Sequence, residues 1–342
     1  MSKNIRIGIT HGDINGVSYE VIMKAFADNR ILENKTVIVY GSAKAAAFHR
    51  KRTSVQNFNF HQIKTAEDAQ EKFVNIINCG GSDFRVDLGE ETEDAGKASY
   101  EALQAAVADL KDNKIDVIVT APINKHTISQ AGFNFPGHTE FFASEFESKQ
   151  YLMVLISDLM RVGVVAGHVP ISEVPSHITE ENILEKLQVL QTTLQIDFNI
   201  RKPRIAVLGL NPHAGDNGVI GSEDEEILKP TIAKARDMGI MALGPYAADG
   251  FFGSVQYKSF DAVLGMYHDQ VLAPFKALDF ETAVNYTAGL PIVRVSPGHG
   301  TAYNIAGKNE ASEKPLQQAV FMACDIYQSR KNNQELIHNQ IK

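Results

Sequence analysis

Cysteine is nearly absent from this 342-residue chain, which holds only Cys79 and Cys324. Two thiols cannot build a disulfide framework, a four-cysteine zinc site or an iron–sulfur cluster. Both have small or apolar neighbours and read as ordinary buried thiols. A basic excess is missing too: 33 Lys and Arg stand against 41 Asp and Glu, for a formal net charge of -8. A nucleic-acid surface needs a basic stripe, so no nucleic-acid partner is expected. Long apolar runs are also lacking. Stretches such as Val162 to Ala166 fall far short of a bilayer span. The opening MSKNIRIGITHGD enters a strand-like run without an apolar signal segment. The expectation is a cytoplasmic protein with no membrane partner. Finally, Gly12 and Gly16 follow the first strand without completing GxGxxG, and no GxxxxGK[ST] loop occurs. That counts against a standard Rossmann dehydrogenase, but not against a nicotinamide enzyme that grips its cofactor with other loops.

What is present suits a soluble enzyme, with 44% hydrophobic and 22% charged residues. The length exceeds what one core usually serves, so two domains are expected. Strand-like runs at Ile5 to Thr10, Thr36 to Tyr40, Ile115 to Thr120, Tyr151 to Ile156, Val162 to Ala166, Arg204 to Leu208, Ala262 to Met266 and Ile292 to Val295 alternate with helical patterns. Among the latter, Ser18 to Ala27, Thr179 to Leu194 and Lys314 to Tyr327 stand out. Ala98, Ala102, Ala105, Ala106 and Leu110 form one stripe of a further helix. Ser222 with Glu225 suggests a capping box that opens a helix running to about Arg236. Such alternation predicts α/β architecture with a largely parallel sheet. The region from Ser54 to Glu93 fits worst and suggests an irregular or antiparallel excursion. The polar tail from Asn332 to Lys342 is expected to fray.

Polar clusters gather where strands end, which is where parallel sheets bind ligands. They contain His11, His138, His168, His213, His268 and His299, six of the eleven histidines. His168, His213 and His268 each follow a strand. Three imidazoles with an open position would bind Zn²⁺, Co²⁺ or Ni²⁺ and polarise an alcohol oxygen. Alternatively they are three separate, hydrogen-bonded histidines. Asp269 beside His268 is a candidate local base or support for that ring. Arg294, inside an apolar strand, must pair or meet an anion. Asp249 is its candidate partner, or else meets a substrate amine. Lys276 and Asn285 share the same third of the chain. His138 and Thr139, and Asn124 with Lys125, could receive a carboxylate or phosphate. The glycine-rich segment SPGHGTAYNIAGK, with His299, Gly300, Thr301, Ala302 and Asn304, could follow a flat cofactor closely.

At GHTEFF from Gly137, LNPHAGDNG from Leu210, GSEDEEILKPTI from Gly221, MYHDQVLAPFK from Met266, VNYTAGLP from Val284 and HGTAYNIAGK from His299, the chain resembles the 4-hydroxythreonine-4-phosphate dehydrogenases of vitamin B6 synthesis. The last motif also resembles a loop of the related isocitrate and isopropylmalate dehydrogenase fold. The resemblance implies two α/β/α domains with a cleft between them. The first would comprise residues 1–130 and 290–342 and contact the cofactor. The second, 131–289, would bind metal and substrate and form the dimer. It implies a divalent metal on His168, His213 and His268, completed with help from a partner subunit of a homodimer. Zn²⁺ is favoured by the imidazole donors, with Co²⁺, Ni²⁺ or Mg²⁺ as alternatives. His138, Thr139, Lys276, Asn285 and Arg294 would contact the phosphorylated amino-acid substrate, and His213, Asp269 and Lys276 would serve catalysis.

The implied reaction is oxidation of 4-phosphooxy-L-threonine at C3 with NAD, or NADP in its place. The product, 2-amino-3-oxo-4-phosphooxybutanoate, decarboxylates to 3-amino-2-oxopropyl phosphate. A dehydrogenase of 4-phosphothreonate and an inactive ligand-binding protein are the alternatives. They are motivated by departures from the family pattern: GDINGVSYE stands where GDPAGIGPE is usual, and Gly298 where an aspartate precedes HGTA.

Overall fold

β-Branched and aliphatic runs become strands in a computed structural model, which describes residues 4–81 and 84–340. In chain order they are β1 (Ile5–Thr10), β2 (Lys35–Gly41), β3 (His61–Ile63), β4 (Val74–Asn78), β5 (Val117–Thr120), β6 (Leu152–Ile156), β7 (Arg161–Ala166), β8 (Ile205–Leu208), β9 (Ala242–Tyr246), β10 (Ala262–Tyr267), β11 (Val284–Ala288) and β12 (Val293–Pro297). The chain divides into two units. One takes the chain up to Phe141 together with Ile292–Tyr327, and the other takes Phe142–Pro291 and the chain from Gln328. Residues 131–141 thus group with the first unit and 328–340 with the second, where the sequence reading had each the other way round. Among the described residues, no helix is long and apolar enough to cross a membrane.

In the first unit, strands run in the order β3-β4-β2-β1-β5-β12, every pair parallel. β5 is buried along its whole length, as a strand covered on both faces must be. The segment expected to be irregular or antiparallel instead supplies β3 and β4, parallel to each other and to β2. Its short strands and many polar residues hid the pattern. The helix Glu93–Lys111 is started by Thr92, whose hydroxyl accepts from the Ala95 N–H at 3.2 Å. Acidic Glu93 and Asp94 in its first turn and Lys111 in its last suit the helix dipole. Ala98, Ala102, Ala106 and Leu110 are buried as the stripe predicted, joined by Leu103 and Val107.

In the second unit the order is β11-β6-β7-β10-β8-β9. β6 runs antiparallel to both β7 and β11, while β7, β10, β8 and β9 are parallel. The core beneath them packs Val162, Val164, Leu208 and Val263 against Phe251 and Phe275. The expected capping box does not form. The Ser222 hydroxyl donates to Glu226 at 3.0 Å, and Glu225 pairs with Lys229 one turn on. Charge pairing at the i, i+4 spacing has replaced the cap. The final helix runs Lys314–Gln340, so the tail stays helical as far as it is described.

The four departures at the start of the chain are interior. Ile14, Asn15, Ser18 and Tyr19 are all fully buried. Asn15 donates to the Glu90 carbonyl and the Thr92 hydroxyl, both at 2.9 Å, and accepts from the Asp87 N–H at 2.8 Å. The Tyr19 hydroxyl donates to the Ser42 carbonyl at 2.9 Å and accepts its N–H at 2.7 Å. The Tyr19 ring lies 5.4 Å from His11 and 5.5 Å from His49. Burial holds both imidazoles down to about 4. Below pH 6.5 the unfolded chain takes up protons that these two rings refuse, so stability falls with pH. Each contributes a slope of up to about 1.4 kcal/mol per pH unit between roughly 6.5 and 4. Urea midpoints measured at pH 7 and pH 5 should show this loss, and His11→Asn should reduce the slope. A flat profile would contradict buried neutral rings.

Candidate active site

Parallel strands place their carboxyl ends along one edge, and in the second unit that edge carries three histidines. His168 lies two residues beyond β7, His268 directly beyond β10, and His213 five beyond β8. The His168 and His268 rings come together, with centroids 5.9 Å apart and planes at 39°. Along with Gly167, Tyr267 and Asp269 they line a cavity of about 300 Å³. His268 opens the helix His268–Leu278, and its Nδ1 faces the Asp269 carboxylate at 2.6 Å. That contact can orient the ring and leave Nε2 to face a ligand. Gln270 ties two of the strand ends together. Its Nε2 donates to the Gly209 carbonyl at 2.6 Å, and its Oε1 accepts the Met266 N–H at 2.7 Å.

His213 is exposed on a short turn, Pro212–Gly218. From His213 to Asn217 five successive φ angles are positive, at 54°, 51°, 77°, 42° and 55°. Only Gly215 among these takes that conformation freely. Ala214 pays about 1–2 kcal/mol for it, Asp216 and Asn217 less, and such strain persists only where surroundings enforce it.

Imidazoles are donors that suit a transition ion. Yet among the described residues no three His, Cys, Asp or Glu gather into a metal site. One chain therefore assembles two of the three expected ligands, and His213 does not join them.

The first unit holds the anion-binding candidates. Arg294 on β12 is 2% exposed. Its guanidinium donates to the Thr120 hydroxyl at 2.8 and 3.2 Å and to the Ser296 hydroxyl at 3.1 Å. Burial pulls its pKa down to about 9, with Glu140 working the other way. Glu140, rather than the expected Asp249, is thus the carboxylate near Arg294. Asp249 is exposed in the first turn of the helix Ala248–Gly253. His138 opens the helix His138–Glu145. Burial, then Arg294 and Lys125, hold it well below its ordinary value, so this imidazole is neutral at pH 7. Thr139 beside it is buried. Arg294, Lys125, the Glu140 carboxylate, a neutral imidazole and a hydroxyl thus make up one polar cluster.

The cofactor-loop candidates also belong to this unit. The Thr301 carbonyl accepts the Val17 N–H at 3.1 Å, and a Cβ on Gly16 would sit 2.6 Å from that oxygen. Hence Gly16 serves close approach of two loops. Ala302 has φ 49°, and the Tyr303 hydroxyl donates to Asp13 at 2.7 Å. His299 Nδ1 faces the Gly300 carbonyl at 2.8 Å, and its Nε2 is buried without a hydrogen-bond partner among the described residues. Asn304 is exposed on the short helical turn Tyr303–Ile305. In the second unit, Lys276 is exposed with its ammonium 5.7 Å from the Phe280 ring centre. Asn285 on β11 has a buried Oδ1 with no partner among the described residues.

The sequence assigns no role to Thr120, Ser296, Glu140 or Gln270, although Glu140 and Gln270 stand in its strand-end polar clusters. The role of Ser296 was discoverable, since period-two alternation puts it on the same strand face as Arg294. Thr120 comes from a distant segment and carried no local signal.

Strand-end histidines in one α/β unit, with a buried arginine and a neutral histidine in a second one, define the class: a two-unit α/β enzyme for a small anionic substrate. The fold alone is shared with isocitrate dehydrogenase from Methylococcus capsulatus, at TM-score 0.51 and 11% identity over 96% of this chain and 87% of that one. The chain belongs to the family of the pyridoxal phosphate biosynthetic protein PdxA, whose model matches residues 33–323. It is 50% identical to a 4-hydroxythreonine-4-phosphate dehydrogenase of Bacteroides thetaiotaomicron, over all of this chain and 94% of that protein. A crystal structure of 4-hydroxythreonine-4-phosphate dehydrogenase from Klebsiella pneumoniae superposes with TM-score 0.81 at 29% identity, covering 94% of this chain and 99% of that one.

The support given to Arg294 is testable without a ligand. Thr120→Val keeps the side-chain shape but removes the acceptor of two bonds from a buried charge. It should destabilise the protein by about 1–3 kcal/mol in urea titrations. No loss of stability would mean that the hydroxyl does not carry the guanidinium.

Proposed function

We propose that this chain is the NAD-dependent 4-hydroxythreonine-4-phosphate dehydrogenase of pyridoxine 5'-phosphate synthesis. The observation that carries this reading is 50% identity, across the whole chain, to a protein of that activity. The reaction oxidises the C3 alcohol of 4-phosphooxy-L-threonine, with NAD as hydride acceptor and one proton released. The resulting 2-amino-3-oxo-4-phosphooxybutanoate is a β-keto acid, which loses CO₂ to leave 3-amino-2-oxopropyl phosphate.

In this reading the residues divide the work. Arg294, His138 and Thr139, with Lys276 and Asn285, bind the phosphorylated amino acid. Arg294 suits that task because it is a buried guanidinium fixed on its strand by the hydroxyls of Thr120 and Ser296. His299, Gly300, Thr301, Ala302 and Asn304 form the cofactor loop, supported from below by Val17 and Asp13. Asp269 orients His268 and is the candidate base with Lys276, and Asp249 lies near the amino group. His168, His213 and His268 would hold a divalent ion, Zn²⁺ before Co²⁺, Ni²⁺ or Mg²⁺, whose chemistry is to polarise the C3 oxygen. Because one chain brings only two of these rings together, the reading includes a homodimer that completes the site from both copies.

Kinetics separate the roles. His213→Ala should lower kcat by about 100-fold or more with little change in NAD affinity. Arg294→Ala should chiefly raise KM for the phosphorylated substrate, by about 10- to 100-fold. Reduced nicotinamide absorbance with 4-phosphooxythreonine, and 4-phosphothreonate in parallel, reads both. Absence of reduction by the parent protein despite bound substrate would favour an inactive binding protein. A marked preference for 4-phosphothreonate would move the substrate and leave the residue roles standing.

A further inference from the structure

We propose that Asp224 is a positioning residue for this reaction: its buried carboxylate holds the left-handed turn that carries His213. The proposal rests on the reading of His213 as an active-site residue. Asp224 is fully buried, where an unsatisfied carboxylate would be costly. It is satisfied entirely by the strand of chain that enters the turn. One oxygen accepts the Leu210 N–H at 2.9 Å. The other accepts the Asn211 N–H and the Asn211 side-chain amide, both at 3.0 Å. That amide is also gripped by Glu223 at 2.8 Å.

Glycines make room for this clamp. A Cβ at Gly209 would lie 2.8 Å from an Asp224 oxygen, and one at Gly215 would lie 3.2 Å from its Cβ. At Gly221 it would lie 2.7 Å from the Asn211 amide. The carboxylate is therefore packed from both ends of the turn as well as hydrogen-bonded at its entrance. Inside the turn His213, Ala214, Asp216 and Asn217 all have positive φ without being glycine. The turn's own backbone bonds, Ala214 N–H to Asn211 and Ile220 N–H to Gly215, both at 3.0 Å, can form only while that strained course is kept. With its entrance released, the turn would relax toward right-handed backbone. His213, whose φ is 54°, would then be re-aimed, since its Cα–Cβ bond follows the backbone.

Asp224→Asn tests this with little change of shape, because it sets an amide donor against donors. The variants are Asp224→Asn, His213→Ala, the two combined, and Asp224→Asn with Ala214→Gly. Glycine removes the side-chain penalty of left-handed backbone. Asp224→Asn should lower kcat about 10- to 100-fold, the scale of a misplaced group, with substrate KM changed less than about threefold. On the His213→Ala background it should add less than about twofold. Ala214→Gly should restore part of the lost kcat. Hydrogen exchange should show faster amides from Leu210 to Gly218 and unchanged amides in β8 and β10, whether or not the enzyme is active.

Normal kcat in Asp224→Asn, beside a damaged His213→Ala, overturns the proposal alone. So does an equal loss on both backgrounds, which would mark a general structural effect. Normal turnover of His213→Ala instead sinks the reading of His213 on which the proposal stands. Should Asp224→Asn fail to fold, Asn211→Ala, which removes one donor to the carboxylate, is put through the same cycle with the same outcomes.

Discussion

Parallel pairing of β7, β10 and β8 is the constraint on which the rest of the candidate site depends. Successive strands of a parallel sheet end on one edge, and backbone groups there have run out of partners in the ladder. The chain leaves β7 through Gly167-His168, β10 through His268, and β8 through Gly209-Leu210. Each exit must turn sharply and still satisfy its peptide groups. Gln270 does this for two exits at once by bridging Met266 and Gly209. Polar side chains are thus concentrated at this edge for structural reasons before any ligand arrives. The chemistry uses a place where the fold already requires them.

Two arginines show how burial and pairing set the state of the same residue type. Arg330 donates to Asp197 at 2.7 and 3.2 Å, to the Tyr286 hydroxyl at 2.8 Å and to the Leu290 carbonyl at 3.0 Å. Burial works to lower it, yet Tyr286 and Asp197 hold it above its ordinary value. A guanidinium so paired is a brace, and its charge is spent inside its own unit. Arg294 is buried more deeply, at 2% exposed, and donates to the hydroxyls of Thr120 and Ser296, with the Glu140 carboxylate acting on it as well. Burial then prevails and its pKa falls to about 9. The pull of Glu140 offsets only part of the desolvation that Arg330, less buried and closely paired, escapes.

Much of this was legible in the sequence, for identifiable reasons. Long β-branched runs such as Ile115 to Thr120 and the small-residue stripe from Ala98 to Leu110 have one physical explanation each, and the fold adopts it. Arg294 stood out because a charge in an apolar strand requires a partner. Glu140 and Thr120, which stand near it, come from remote segments, so spacing alone could not connect them with Arg294. β9 and β11 were missed because their sequences, ALGPY and VNYTA, mix strand formers with Gly, Pro and Asn. The Ser222 and Glu225 spacing satisfied a capping pattern, but Lys229 offered Glu225 a better partner one turn on. Left-handed backbone at Ala214 could not be anticipated, because alanine does not favour it. Only the packing around Asp224 makes it tenable.

The departures from the family pattern at the start of the chain meet the same logic from the other side. Ile14, Asn15, Ser18 and Tyr19 replace residues of a glycine- and proline-rich loop, and at first sight that alters a ligand-facing surface. All four instead are buried. Asn15 uses its amide to hold the 87–92 segment, while Tyr19 closes a hydrogen-bonded ring with the backbone of Ser42. A loop built with less proline loses some conformational restriction, and these internal bonds supply it in another form. What reaches the neighbouring cofactor-loop candidates is backbone: the Val17 N–H on the Thr301 carbonyl, and the bare Cα of Gly16 packed beneath it. Gly16 and the path of the chain at Val17 are therefore the features that the loop requires, and the side chains around them are free to vary so long as they hold that path.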